Sequence, residues 1–72
     1  MADPTHPELV VIALMSRGHT YDAIARALVL SVDAVKSRVA RARQRTGAKS
    51  TIHLVALCMA RHLIPLLRED HS

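Results

Sequence analysis

The sequence predicts an all-α fold of four short helices in a single domain. Half of the 72 residues are hydrophobic, yet Phe and Trp are absent and Tyr21 is the one aromatic. A core must therefore be assembled from Val, Leu, Ile, Ala and Met, which suits packed helices better than a sheet. Hydroxyl residues and glycines recur at intervals that open and close helices, and neither an internal repeat nor a low-complexity tract divides the chain. A chain of this size hides only about 60% of the surface its unfolded form exposes. The core is thin, and oligomerisation or a bound partner is the expected source of extra stability.

Thr5 and Glu8 have capping-box spacing and Pro7 suits a first turn, so the first helix is predicted over residues 7–17, with Gly18 ending it. Thr20 caps a second helix, 21–28, where Asp22 complements the positive end of the helix dipole and Ile24, Ala25 and Leu28 follow helical spacing. "VLS" at 29–31 makes a tight turn. Ser31 then caps a third helix, 32–46, with Asp33 in its first turn and Gly47 as its stop. Ser50 or Thr51 caps the fourth, 51–64, which Pro65 discourages from continuing; the charged tail "REDHS" is expected to fray.

The third helix carries most of the charge. The net charge is +4 and the pI is about 10.2, which points to a polyanionic partner. Of the ten Lys and Arg, six lie between Lys36 and Lys49. At about 100° per residue, Val32, Val35, Val39, Ala42 and Thr46 share one side, the predicted core face. Ser37, Ala40, Arg41 and Gln44 lie opposite, with Asp33 and Ala34 nearer the start. Lys36 and Arg43 flank this outer face on one edge, Arg38 and Arg45 on the other.

A charge run is ordinarily a solvated face held by i,i+4 pairs. Here the acidic partners are missing, since Asp33 is the only acid between Val32 and Leu67. Short polar side chains between two basic edges instead meet the needs of a helix in the major groove of double-stranded DNA, where base edges lie ahead and phosphate walls on either side. A short helix, a tight turn and then this helix spell a helix-turn-helix. A membrane-surface helix would carry large apolar residues where this one has Val, Ala and Thr.

From Pro7 to about Leu67 the chain resembles the LuxR-type, or GerE-type, helix-turn-helix domain. The resemblance is carried by "RGHTYDAIARALVLSVDAVKSRVARARQRTGAKSTIHLVALCMARHLI", through Gly18, Ile24, Ala25, Leu28, Leu30, Ser31, Val35, Lys36, Val39, Gly47, Val55, Ala56 and Leu57. It implies a four-helix DNA-binding domain whose third helix enters the major groove and whose fourth makes a dimer contact. It puts Lys36, Ser37 and Ala40 where the family reads bases, with Arg41 and Gln44 on the same outer face, and Thr20, Arg45 and Lys49 near phosphates, joined by Arg38 and Arg43 from the flanks. Val10 and Ala23 stand where the family often has Glu, so polar links between helices are expected to be missing. Ala42 and Thr46 replace larger apolar residues, and looser packing is expected there. The segment 21–43 is also similar to region 4 of extracytoplasmic-function sigma factors, which makes a protein-interaction module binding RNA polymerase or another regulator the alternative. The Gly47 break and a further helix favour the LuxR-type pattern.

The fourth helix is apolar over more of its circumference than one thin domain buries. Ile52, Val55, Ala56, Met59 and Leu63 are assigned to the core. Leu54, Leu57 and Cys58, with Arg61 beside them, are assigned to a homodimer interface. Such a dimer places two third helices about 34 Å apart on an inverted repeat. No cofactor or metal is expected: the five histidines and Cys58 show no CxxC or HExxH spacing, although Cys58 and His62 stand four residues apart. Cys58 is read as a buried thiol, Met15 and Met59 as core fillers, and His19 as a loop residue. No nucleophile–base pairing or glycine-rich phosphate loop suggests an enzyme. The lone cysteine and the lack of an opening secretory segment or membrane-length apolar run predict a cytoplasmic protein without a membrane partner.

Overall fold

The computed structural model describes residues 2–65; the charged tail 68–72 lies outside them. Four helices follow in order: α1 (His6–Ser16), α2 (Tyr21–Leu28), α3 (Val32–Thr46) and α4 (Thr51–Ala60), with no strand among the described residues. None of these helices is long and apolar enough to cross a membrane.

Each helix begins on a hydroxyl. Thr5, Thr20, Ser31 and Ser50 hold extended backbone and accept hydrogen bonds from the backbone N–H groups of Glu8, Ala23, Ala34 and His53. One otherwise unpaired donor is satisfied at each start. Each helix also ends on a residue in the left-handed region, namely Gly18 (φ 89°), Val29 (φ 56°), Gly47 (φ 76°) and His62 (φ 57°). After α1, α2 and α4 the paired bonds of a Schellman motif close the end. Gly18 and His19 donate to the carbonyls of Met15 and Leu14, Val29 and Leu30 to those of Arg26 and Ala25, and His62 and Leu63 to those of Met59 and Cys58. Gly47 makes the simpler bond to the Arg43 carbonyl at 2.9 Å.

The expected end of the fourth helix is corrected by this last motif. It stops at Ala60 rather than residue 64, because the chain reverses at His62 and brings Ile64, 5% exposed, back into the core before Pro65.

The core is aliphatic. Val11 and Ile12 of α1, Ile24 and Ala25 of α2, Val35, Val39 and Ala42 of α3, Ala48 of the α3–α4 loop, Leu54 and Cys58 of α4, and Ile64 are buried together. Helix α3 touches all three other helices, whereas α2 and α4 do not meet among the described residues. Ala42 and Thr46 are both buried, and the Thr46 hydroxyl donates to the Ala42 carbonyl (2.8 Å) and accepts from the Ala48 N–H (3.2 Å). Ala48 is folded back into the core by the loop at this end.

Val29 is 90% exposed and yet holds a left-handed backbone. A β-branched side chain is strained there, at a cost of roughly 1–2 kcal/mol, and glycine is not. Val29→Gly removes the strain, loses no burial and costs some unfolded-state entropy. It is expected to stabilise the domain by about 1 kcal/mol, raising Tm by roughly 4–8 °C. Thermal unfolding followed by far-UV circular dichroism checks this; an unchanged or lower Tm would show that the turn is not strained.

Candidate nucleic-acid interface

Helix α3 is sorted along its length as its sequence predicts. Val35, Val39, Ala42 and Thr46 are buried and Val32 is half-buried. The opposite face presents Asp33, Lys36, Ser37, Ala40, Arg41 and Gln44, all exposed. Among the described residues nothing covers them, so every expected base-reading residue stands on one uncovered surface.

The expected phosphate contacts are not equally available. Thr20 and Lys49 are exposed and Arg38 is half-buried. The Thr20 oxygen caps α2 by accepting from the Ala23 N–H at 3.1 Å, which leaves its O–H free to donate. Arg43 is partly engaged within the domain. It is half-buried, one terminal nitrogen donates to the Lys49 carbonyl (2.9 Å), and its Nε is buried without an acceptor. It holds the loop between α3 and α4, in which the Lys49 N–H also donates to His53 Nδ1 at 3.0 Å.

Arg45 is engaged in a way its spacing did not announce. Its Nε donates to Glu8 Oε2 at 3.1 Å, with the acid 4% and the arginine 45% exposed at the side chain. The other carboxylate oxygen, Oε1, accepts from the Thr5 N–H at 3.0 Å, completing the capping box. The expectation that polar links between helices are missing is thereby overturned: Glu8 joins the start of α1 to the end of α3. The capping-box spacing accounts for only one of its two oxygens, and nothing in the sequence announces the partner of the other. The Ala2 N–H adds a bond to the Arg45 carbonyl at 3.0 Å.

The expected dimer surface is corrected at two of its four residues, Leu54 and Cys58. Leu54 and Cys58 are fully buried, Leu57 is half-buried, and Arg61 pairs with Asp3 at 3.1 Å. Burial pushes the Cys58 thiol up, with Arg61 opposing this and Asp3 reinforcing it, so it stays protonated and unreactive. Two residues assigned to the core lie outside it: Ile52, 83% exposed, and Ala56. They line an open apolar groove between α1 and α4 together with Met15, Val55 and Met59. The two methionines are half-buried at its wall rather than enclosed. Cys58 and His62 diverge, the first into the core and the second into solvent.

Burial pushes the Glu8 carboxyl up, but the Thr5 N–H bond and the hydrogen bond and charge of Arg45 outweigh it and hold its pKa below the ordinary 4.5. A depressed folded-state pKa contributes stability that is complete above the unfolded value and is lost as pH falls through the folded one. Wild type is therefore expected to lose stability below about pH 4.5 more steeply than Glu8→Gln, which has no proton to take up. Parallel urea-midpoint profiles of the two proteins between pH 7 and pH 3 would overturn this role for Glu8.

Among known proteins, the chain matches no protein-family model and no curated protein, so the functional reading rests on the geometry of these side chains.

Proposed function

We propose that this protein is a sequence-specific DNA-binding transcription regulator of the LuxR type, in which α2, the turn at Val29–Ser31 and α3 form the helix-turn-helix. The two-sidedness of α3 carries the proposal. Its core stripe anchors it, and its outer face is left uncovered. Among the described residues, neither Lys36 nor Arg41 is used by an ion pair, those being Arg45–Glu8 and Arg61–Asp3. Two long cations free to hydrogen-bond guanine O6 and N7, beside Ser37 and Gln44 as shorter hydrogen-bonding groups and Ala40 against a thymine methyl, form a base-reading surface. Thr20, Arg38, Lys49 and the outer part of Arg45 supply the phosphate contacts that set register. The protein carries out no catalytic step in this reading; it acts by occupying a promoter.

Dimerisation is retained in the proposal on a different surface. Ile52, Val55, Ala56 and Met59 of α4, with Met15 of α1, present the exposed apolar strip that a thin domain is expected to cover. Two such strips packed about a two-fold axis make a self-complementary interface and call for an inverted-repeat site.

About six phosphate contacts give a log–log salt slope of affinity near −5. Arg41→Ala is expected to relax sequence preference, by about 1–3 kcal/mol at one base pair, whereas Lys49→Ala weakens binding to all sequences alike. Gel shifts over a salt series check both. Equal effects of the two substitutions would refute the division of labour, and the absence of any sequence-selective shift would favour the polymerase-binding alternative.

Ile52→Glu places a charge in the apolar strip without touching the core, so it is expected to convert dimer to monomer with the helical content kept, and to lower Tm to a value that no longer depends on protein concentration. Sedimentation equilibrium reads the outcome, and a dimer that survives the substitution rules this surface out.

A further inference from the structure

We propose that Asp33 is a specificity-determining residue that selects a cytosine at one position of the recognised site. The inference rests on α3 being the helix that reads DNA. Successive side chains are about 100° apart around a helix, so Asp33, Ser37, Ala40 and Gln44 fall within a narrow stripe, and all four are exposed. Asp33 lies at the stripe's N-terminal end, the part of a recognition helix that approaches base edges most closely.

Among the described residues its carboxylate has no hydrogen-bond or ion-pair partner. Ser31 already caps α3 by accepting from the Ala34 N–H at 3.0 Å, and the two ion pairs among the described residues use Glu8 and Asp3. A free carboxylate carried between two phosphate walls is repelled unless it accepts hydrogen bonds there. Guanine offers only the acceptors N7 and O6, and thymine an acceptor and a methyl group. Adenine N6–H₂ lies between two acceptors, its own N7 and the paired thymine O4, whereas cytosine N4–H₂ has an acceptor, guanine O6, on one side only, and it is the group with which Asp pairs in the major groove. Asp33 thus works through rejection as much as attraction. On a face otherwise basic and small, a single acid raises the cost of every register but those that present cytosine at its position.

The test is selection of bound duplexes from a random pool with the full-length wild type and Asp33→Asn, followed by direct titration of the selected duplex and of the same duplex with the cytosine position changed. Wild type is expected to yield a motif with a fixed cytosine in each half-site, preferred by about 5- to 150-fold over other bases. In Asp33→Asn that preference falls towards unity or turns to adenine, which an amide matches, while the remaining positions are kept. Asp33→Ala is expected to lose the preference without gaining adenine. An identical motif for wild type and Asp33→Asn would overturn the inference alone, as would a uniform gain of affinity for all sequences, which would mean that Asp33 acts only as a charge at the helix start. A wild type that selects no motif would remove the DNA-reading proposal together with it.

Discussion

The aliphatic stripe of α3 is the constraint on which the other helices depend. Val35, Val39 and Ala42 form the surface against which α1, α2 and α4 all pack, while α2 and α4 never meet among the described residues. Helix α3, together with α1, which also touches the other three helices, therefore organises a core whose buried residues include no aromatic side chain. The stripe is narrow, and that leaves the rest of the α3 circumference to solvent and to its charges. Anchoring and presentation are two sides of one periodicity.

The second organising element is polar. Glu8 is almost completely buried, and burying an acid is tolerable only when the charge is paired and its lone pairs are used. Here both conditions are met, by the Thr5 N–H on one oxygen and Arg45 Nε on the other. The same carboxylate that starts α1 thus fixes where α3 ends relative to it. Arg43 and Thr46 do corresponding work one turn away, tying the α3–α4 loop to the helix it leaves. Three residues on the last turn of α3 consequently set the positions of both flanking helices.

Much of this was legible in the sequence, because the relevant signals are local. All four N-caps follow from hydroxyl residues, and the glycine stops after α1 and α3 follow from the freedom of that residue at positive φ. The sorted faces of α3 follow from its amphipathic pattern. What was not legible depends on context. Val29 and His62 occupy left-handed positions that their side chains disfavour, so neither announces a helix end. Helix α4 is apolar almost all round, and periodicity cannot select the buried side of such a helix; Leu54 and Cys58 face inward because of where the Ala48–Ser50 loop begins it. The Glu8–Arg45 pair joins residues 37 apart in the chain, a distance over which spacing carries no information.

Asp3 and Arg61 stand 58 residues apart in sequence and 3.1 Å apart in space. Both partners are solvent-exposed, so this clasp between the segment ahead of α1 and the turn after α4 is screened by salt. A rise in ionic strength therefore loosens it, while the Glu8–Arg45 pair, its acid buried and better shielded from solvent ions, holds.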